Sequence, residues 1–173
     1  MRIKISPQAV GAFGEHAVEV ELLRHGWIPA NVNATVKNAA DYDIFARKDA
    51  KTVWLRVRAC APDSRIFQFG SFEPGKPVRM EVLEKNDFTV LVAISSNRTK
   101  DEFYVMPSHV VREEIILRQK DYLAVPKKDG TKRKDTGHWA LHLAERRDGQ
   151  QQGGYHLEEK WKEYRDAWGL LSK

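Results

Sequence analysis

Apolar residues recur at three- and four-residue steps near the start of the chain, at Ala9, Phe13, Ala17, Val20 and Leu23. That spacing predicts an amphipathic helix of about five turns, because 3.6 residues complete one turn. Ser6 ahead of it can cap the free backbone N–H groups, and Pro7 suits the first helical position. Gly26 follows the last periodic residue and reads as the stop.

The pattern then changes to alternation. Trp27 to Val36 reads as extended chain, and Asp41 to Arg47 and Thr52 to Cys60 read as strands joined by a polar turn at Lys48-Asp49-Ala50-Lys51. In the second strand Val53, Leu55, Val57 and Ala59 alternate with Trp54, Arg56, Arg58 and Cys60. Strand side chains repeat every two residues, so Arg56 and Arg58 share a face. Pro62 to Pro77 reads as a loop with a short strand at Ile66 to Phe69. Phe88 to Ile94 is a nearly unbroken apolar run, the pattern of a strand covered on both faces. Phe103 to Met106 predicts a strand, Ser108 to Lys120 a helix with Val111 and Ile115 on one side, and Trp139 to Leu143 a late strand. Arg146 to Gly154 is polar connecting chain. Leu157, Trp161, Tyr164, Trp168 and Leu171 alternate steps of four and three and predict a closing helix. Strands mixed with helices, no internal repeat and a length of 173 residues point to a single α/β domain over 1–173.

Composition narrows the class. The longest apolar run falls far short of the ~20 residues of a membrane-spanning helix, and the opening Met1-Arg2-Ile3-Lys4 lacks the apolar stretch of a signal peptide. Cys60 is the single cysteine, so no internal disulfide is possible. These features together lead us to expect a cytoplasmic protein. The net charge of +5 permits contact with nucleic acid without requiring it.

One constellation carries chemistry. It runs from Gly14-Glu15 on the first helix through Gly26-Trp27 and Asp41-Tyr42-Asp43-Ile44-Phe45-Ala46 to Trp54-Leu55-Arg56-Val57-Arg58. Glu15 lies eleven residues before the glycine that ends the helix. This order resembles the PD-(D/E)xK nuclease superfamily, in particular its branch similar to archaeal Holliday junction resolvases. Phe103-Tyr104-Val105-Met106-Pro107 and Tyr164-Arg165-Asp166-Ala167-Trp168 also look like uncharacterised bacterial members. The resemblance implies a restriction endonuclease-like core: a central mixed β-sheet flanked by helices, in αβββαβ order with a C-terminal helix. It implies catalytic positions at Glu15, Asp43, Arg56 and Arg58, with Asp43 and Glu15 as ligands of Mg²⁺. Carboxylates hold that hard ion, which activates a water and stabilises charge on the phosphate.

The chain departs from the family pattern at two places. Arg56 stands where a second acid or Gln is expected, and Arg58 where Lys is expected. A guanidinium has no lone pair for a metal and stays charged at any workable pH. At 4 Å, two unit charges interact by roughly 4 kcal/mol at an effective dielectric near 20, so Arg56 would repel a divalent ion. The same planar fork is a good phosphate ligand. The reading that follows is a nuclease-fold protein with reduced or lost hydrolysis that binds DNA or RNA. Arg56 and Arg58 would contact it together with a basic turn at Lys127, Lys128, Lys132, Arg133 and Lys134. An active enzyme would need another acid, and Glu73, Glu81 and Glu84 are the candidates by position. A third reading is a protein-interaction module, with the Trp161/Trp168 stripe as the seam of a homodimer.

Other polar residues read more simply. Asp41 suits a turn, Cys60 a small buried residue, and His138 and His142 are expected on a strand with no third ligand. Ser95, Ser96 and Ser108 lack a nucleophile-elbow context, and Gly70 to Gly75 does not follow phosphate-loop spacing.

Overall fold

The computed structural model describes residues 6–32, 42–62, 64–70, 73–76, 85–95, 100–143 and 157–173. The first helix, α1 (Pro7–Arg24), starts where Ser6 Oγ accepts from the Ala9 N–H at 3.2 Å. It stops at Gly26, whose φ of 77° suits glycine, and the N–H groups of Gly26 and Trp27 return to the carbonyls of Leu23 and Leu22. The side that α1 turns inward differs from the expected stripe. Val10, Gly14, Val18 and Leu22 are buried, whereas Phe13 (47%), Val20 (46%) and Leu23 (59%) stay exposed. Gly14 is the reason. A Cβ there would sit 2.5 Å from the Ala59 Cβ, so the missing side chain lets the helix approach β3 this closely.

Five strands form the main sheet in the order β1-β2-β3-β5-β6. They are β1 (Ile28–Asn31), β2 (Ile44–Lys48), β3 (Lys51–Cys60), β5 (Asp87–Ala93) and β6 (Glu102–Pro107). β3 and β5 run parallel, and the other neighbours are antiparallel. β2 and β3 meet in the expected hairpin, with Lys48 opposite Lys51 across the turn. Every residue of β5 is buried, as its apolar run predicts. A second sheet pairs β4 (Ile66–Phe69) with β7 (Trp139–His142), and α2 (Ser108–Ala124) lies between β6 and β7 in the chain.

Alternate residues of the central strands feed two cores. Val53, Leu55, Val57, Val90, Val92, Phe103 and Val105 pack with Val18 and Leu22 of α1. Leu91, Ala93, Tyr104 and Met106 pack on the other face with α2, β4 and β7. Among the described residues six strands precede α2, so the order differs from αβββαβ. The mixed sheet with flanking helices is as expected.

The C-terminal stretch is not one helix. It breaks into α3 (Leu157–Lys160) and two short 3-10 turns, Lys162–Tyr164 and Trp168–Ser172. Between them Asp166 takes a φ of 51° and its N–H donates to the Phe103 carbonyl, which lays the segment across the edge of β6. Trp161 therefore enters one core and Trp168 the other, at 1% and 3% exposure. Both rings are spent on internal packing, so the expected homodimer seam at Trp161/Trp168 is not available. Glu102 on β6 ties this edge further, bonding to Arg65 and lying 3.6 Å from Arg165. Burial opposes its charge, but Arg65 and Arg165 outweigh that and hold its carboxyl below the usual range.

Residues 33–36 of the expected extended segment, Asp41, and residues 146–154 lie outside the described residues. Among the described residues no helix is long and apolar enough to cross a membrane.

Gly14→Ala is expected to destabilise the fold by about 1–3 kcal/mol through overpacking against β3. Urea denaturation measures this, and adding Ala59→Gly should recover part of the loss.

Candidate functional site

Arg56 and Arg58 do share a face of β3, as alternation predicts, yet their fates differ. Arg56 is buried at 5% exposure. Its Nη1 lies 2.6 Å from Asp87 Oδ1 at the start of β5 and 3.4 Å from Ser108 Oγ at the start of α2. Its guanidinium stacks over the Tyr42 ring at 4.2 Å, and the Tyr42 hydroxyl donates to Asp87 Oδ2 at 2.8 Å. Thr89, opposite Arg56 in the parallel register, shares a 2.8 Å hydrogen bond with Ser108. Burial, then the hydrogen bond to Asp87, pushes the Tyr42 phenol above its ordinary pKa and keeps it a donor. The buried positive charge therefore has a matched carboxylate beside it, the condition under which such a charge is tolerated.

Asp43 sits just before β2 begins. The ladder between β2 and β3 runs only to Ile44 opposite Leu55, which leaves the next N–H on that side of β3, Val57, without a strand partner. The Asp43 carboxylate supplies one: Oδ2 accepts from Val57 N at 2.7 Å and from Arg58 Nη1 at 3.2 Å. Arg58 also donates to the Val57 carbonyl, and its side chain is 40% exposed. Glu15 accepts from the Asn31 amide at 3.0 Å, which joins α1 to the edge strand β1. Because Asn31 lies opposite Ile44, Glu15 and Asp43 belong to the same end of the sheet.

The structure thus brings Asp43 to Arg58, sets Glu15 one strand away, and diverts Arg56 to Asp87. Sequence reasoning missed Asp87 and Tyr42. A signal for Asp87 was present, since an acid heading an otherwise apolar strand is disfavoured unless paired. Glu73, a candidate replacement acid, is exposed and bridges to Lys76 at 3.4 Å. Glu81, Glu84 and Ser96 lie outside the described residues. Among the described residues no group of three or more His, Cys, Asp and Glu is arranged to hold a metal ion. Asp43 Oδ2 already serves two donors. His138 packs over Gly70, and Cys60 is buried, which pushes its thiol pKa up and disfavours the nucleophilic thiolate.

The basic turn lies between α2 and β7. The Gly130 N–H donates to the Lys127 carbonyl and the Thr131 hydroxyl to Asp129, closing the turn. Lys127, Lys128, Lys132 and Lys134 are exposed. Arg133 is half-buried, donates to the Val125 carbonyl at 2.8 Å and stacks over Tyr122 at 4.7 Å. A line of rings joins this turn to the sheet. Tyr122 meets Trp139 edge-on at 5.5 Å, Trp139 pairs with Phe69 in register, and the Arg58 guanidinium lies 6.0 Å from the Phe69 ring. Arg58 and the basic turn are therefore ends of one aromatic row on the same face.

No family model matches the chain, and no curated protein matches it either. Among solved structures, the bacterial homing endonuclease I-Ssp6803I aligns over 97% of this chain and 95% of its own, with a TM-score of 0.53 and 17% identity. The crystal structure of MepB aligns over 78% of this chain and 91% of its own, with a TM-score of 0.32 and 10% identity. The first likeness shows a nuclease-like α/β fold. At that identity it concerns the fold alone.

Arg56→Met or Asp87→Asn alone is expected to cost about 3–5 kcal/mol, because each removes the counter-charge that a buried ion bonds to. The double variant Arg56→Met/Asp87→Leu should recover much of that in chemical denaturation. Arg58→Ala should cost less than about 1 kcal/mol, since its pair is partly solvated.

Proposed function

We propose that this chain is a nuclease-fold protein of PD-(D/E)xK type that binds DNA or RNA with its hydrolytic site closed. The observation that carries this reading is the pairing of charges at the site. Arg56 stands at the position of an expected metal-binding acid and is neutralised by Asp87, while the Asp43 carboxylate is held by Val57 N and Arg58. Arg56, already enclosed, leaves the set of phosphate ligands. Arg58, Lys127, Lys128, Lys132, Arg133 and Lys134 remain in it.

The aromatic row gives this surface its chemistry. Arg58 at one end offers a forked donor to a phosphate oxygen, and the lysines of the turn at the other add charge without demanding sequence. Binding of this kind tracks a phosphate backbone and weakens steeply with salt.

Fluorescence anisotropy with a labelled DNA duplex, a branched DNA and a single-stranded RNA tests the reading. Affinity should fall linearly on a log–log plot against salt. Lys127→Gln and Lys128→Gln should each reduce the slope by about one. Binding that is absent at low salt, or indifferent to salt, overturns the proposal. Cleavage that requires Mg²⁺ and disappears in Asp43→Ala would show instead an active enzyme, with an acid from elsewhere in the chain completing its site.

A further inference from the structure

The exposed side of α1 is itself patterned. Ala9, Phe13, His16, Val20 and Leu23 follow one another at steps of four, three, four and three, and all five are exposed. Val10, Gly14, Val18 and Leu22, which face the sheet, lie on the opposite side of the same helix. A helix with apolar residues on both sides is one that something covers twice. The sheet covers one side. The steps on the other side are those of a two-stranded coiled coil, in which a and d positions recur every 3.5 residues.

We infer that the outward stripe of α1 pairs with the same stripe of a second copy of this chain, the two helices lying parallel and in register. Phe13 and Val20 then occupy a positions, and Ala9, His16 and Leu23 occupy d positions. The flanking charges choose the occupant and its direction. Glu19 falls at a g position and Arg24 at the following e position, so a parallel in-register pair sets Glu19 of each copy against Arg24 of the other. An antiparallel pair would set Glu19 against alanine or its own kind. Arg24 is 68% exposed and bonds along its own helix to Glu21, as Glu19 does to His16, so pairing across the seam exchanges these intrahelical contacts. The helix is 18 residues long, about five turns, enough for two full heptads of contact. The sheet lies behind α1, away from the seam, so two copies meet with their domains on opposite sides.

Sedimentation velocity over a wide concentration range tests this on the full chain. The wild type should form a dimer, and Phe13→Glu and Val20→Glu should each weaken it roughly tenfold or more. Both positions are exposed, so circular dichroism should report an unchanged fold. Glu19→Arg should weaken the dimer and Glu19→Arg/Arg24→Glu should restore it. Ile116→Glu, on the exposed side of α2, should leave association unchanged. Val20→Cys should give a covalent dimer under mild oxidation, because a positions face each other only in the parallel register. A wild type that is monomeric throughout, or a dimer indifferent to Phe13→Glu and Val20→Glu, overturns the inference. A dimer that Val20→Cys fails to cross-link overturns the parallel arrangement.

Discussion

The ion pair between Arg56 and Asp87 is the constraint on which the centre of this molecule turns. A guanidinium enclosed between a sheet and a helix is tolerated only with its counter-charge at hydrogen-bonding distance. That requirement fixes how β3 and β5 lie against each other. A slip of one residue would send Arg56 into the apolar layer under α1 and turn Leu55 out of it. The same pair reaches Ser108 and so seats the start of α2, and it reaches Tyr42 and so seats the chain entering β2. Sheet register, helix position and the approach to Asp43 share one electrostatic cause.

That cause also governs how the charges at this end of the sheet are used. The similarity to a homing endonuclease concerns the path of the backbone. The side chains at this end of the sheet serve one another: Asp43 completes a strand end and Arg56 completes a buried cluster. Only Arg58 keeps both a structural contact and a solvent-facing edge.

Much of the local structure could be read from the chain. Ser6-Pro7 and Gly26 marked the ends of α1, the polar turn at Asp49-Ala50 marked the hairpin, and the apolar run after Asp87 marked the central strand. The inward side of α1 could not be read, because counting apolar residues overlooks Gly14, whose value lies in the atom it lacks. The C-terminal stripe obeyed helical spacing but is divided between two cores, since its chain must cross β6. The partner of Arg56 was hidden because Asp87 is 31 residues away on a parallel strand, and no local spacing links them. Pairing of Arg58 with Asp43 was nearer the surface of the sequence, fourteen and fifteen residues separating Asp43 from the groups it accepts from.

The division of Trp161 and Trp168 between the two cores bears on the order in which the protein can be completed during synthesis. The hairpin of β2 and β3 joins neighbours in the chain and can form early. Parallel pairing of β3 with β5 must wait for the intervening crossover to emerge, and until then Arg56 has no Asp87. Neither core closes until residues 157–173 arrive, since each awaits one tryptophan from that stretch. A chain growing from its N-terminus therefore carries a partly open sheet, with β6 still uncovered at its edge, until residues 157–173 have emerged. Closure of both faces depends on the same stretch, so the wait for it sets how long apolar surface stays open to aggregation.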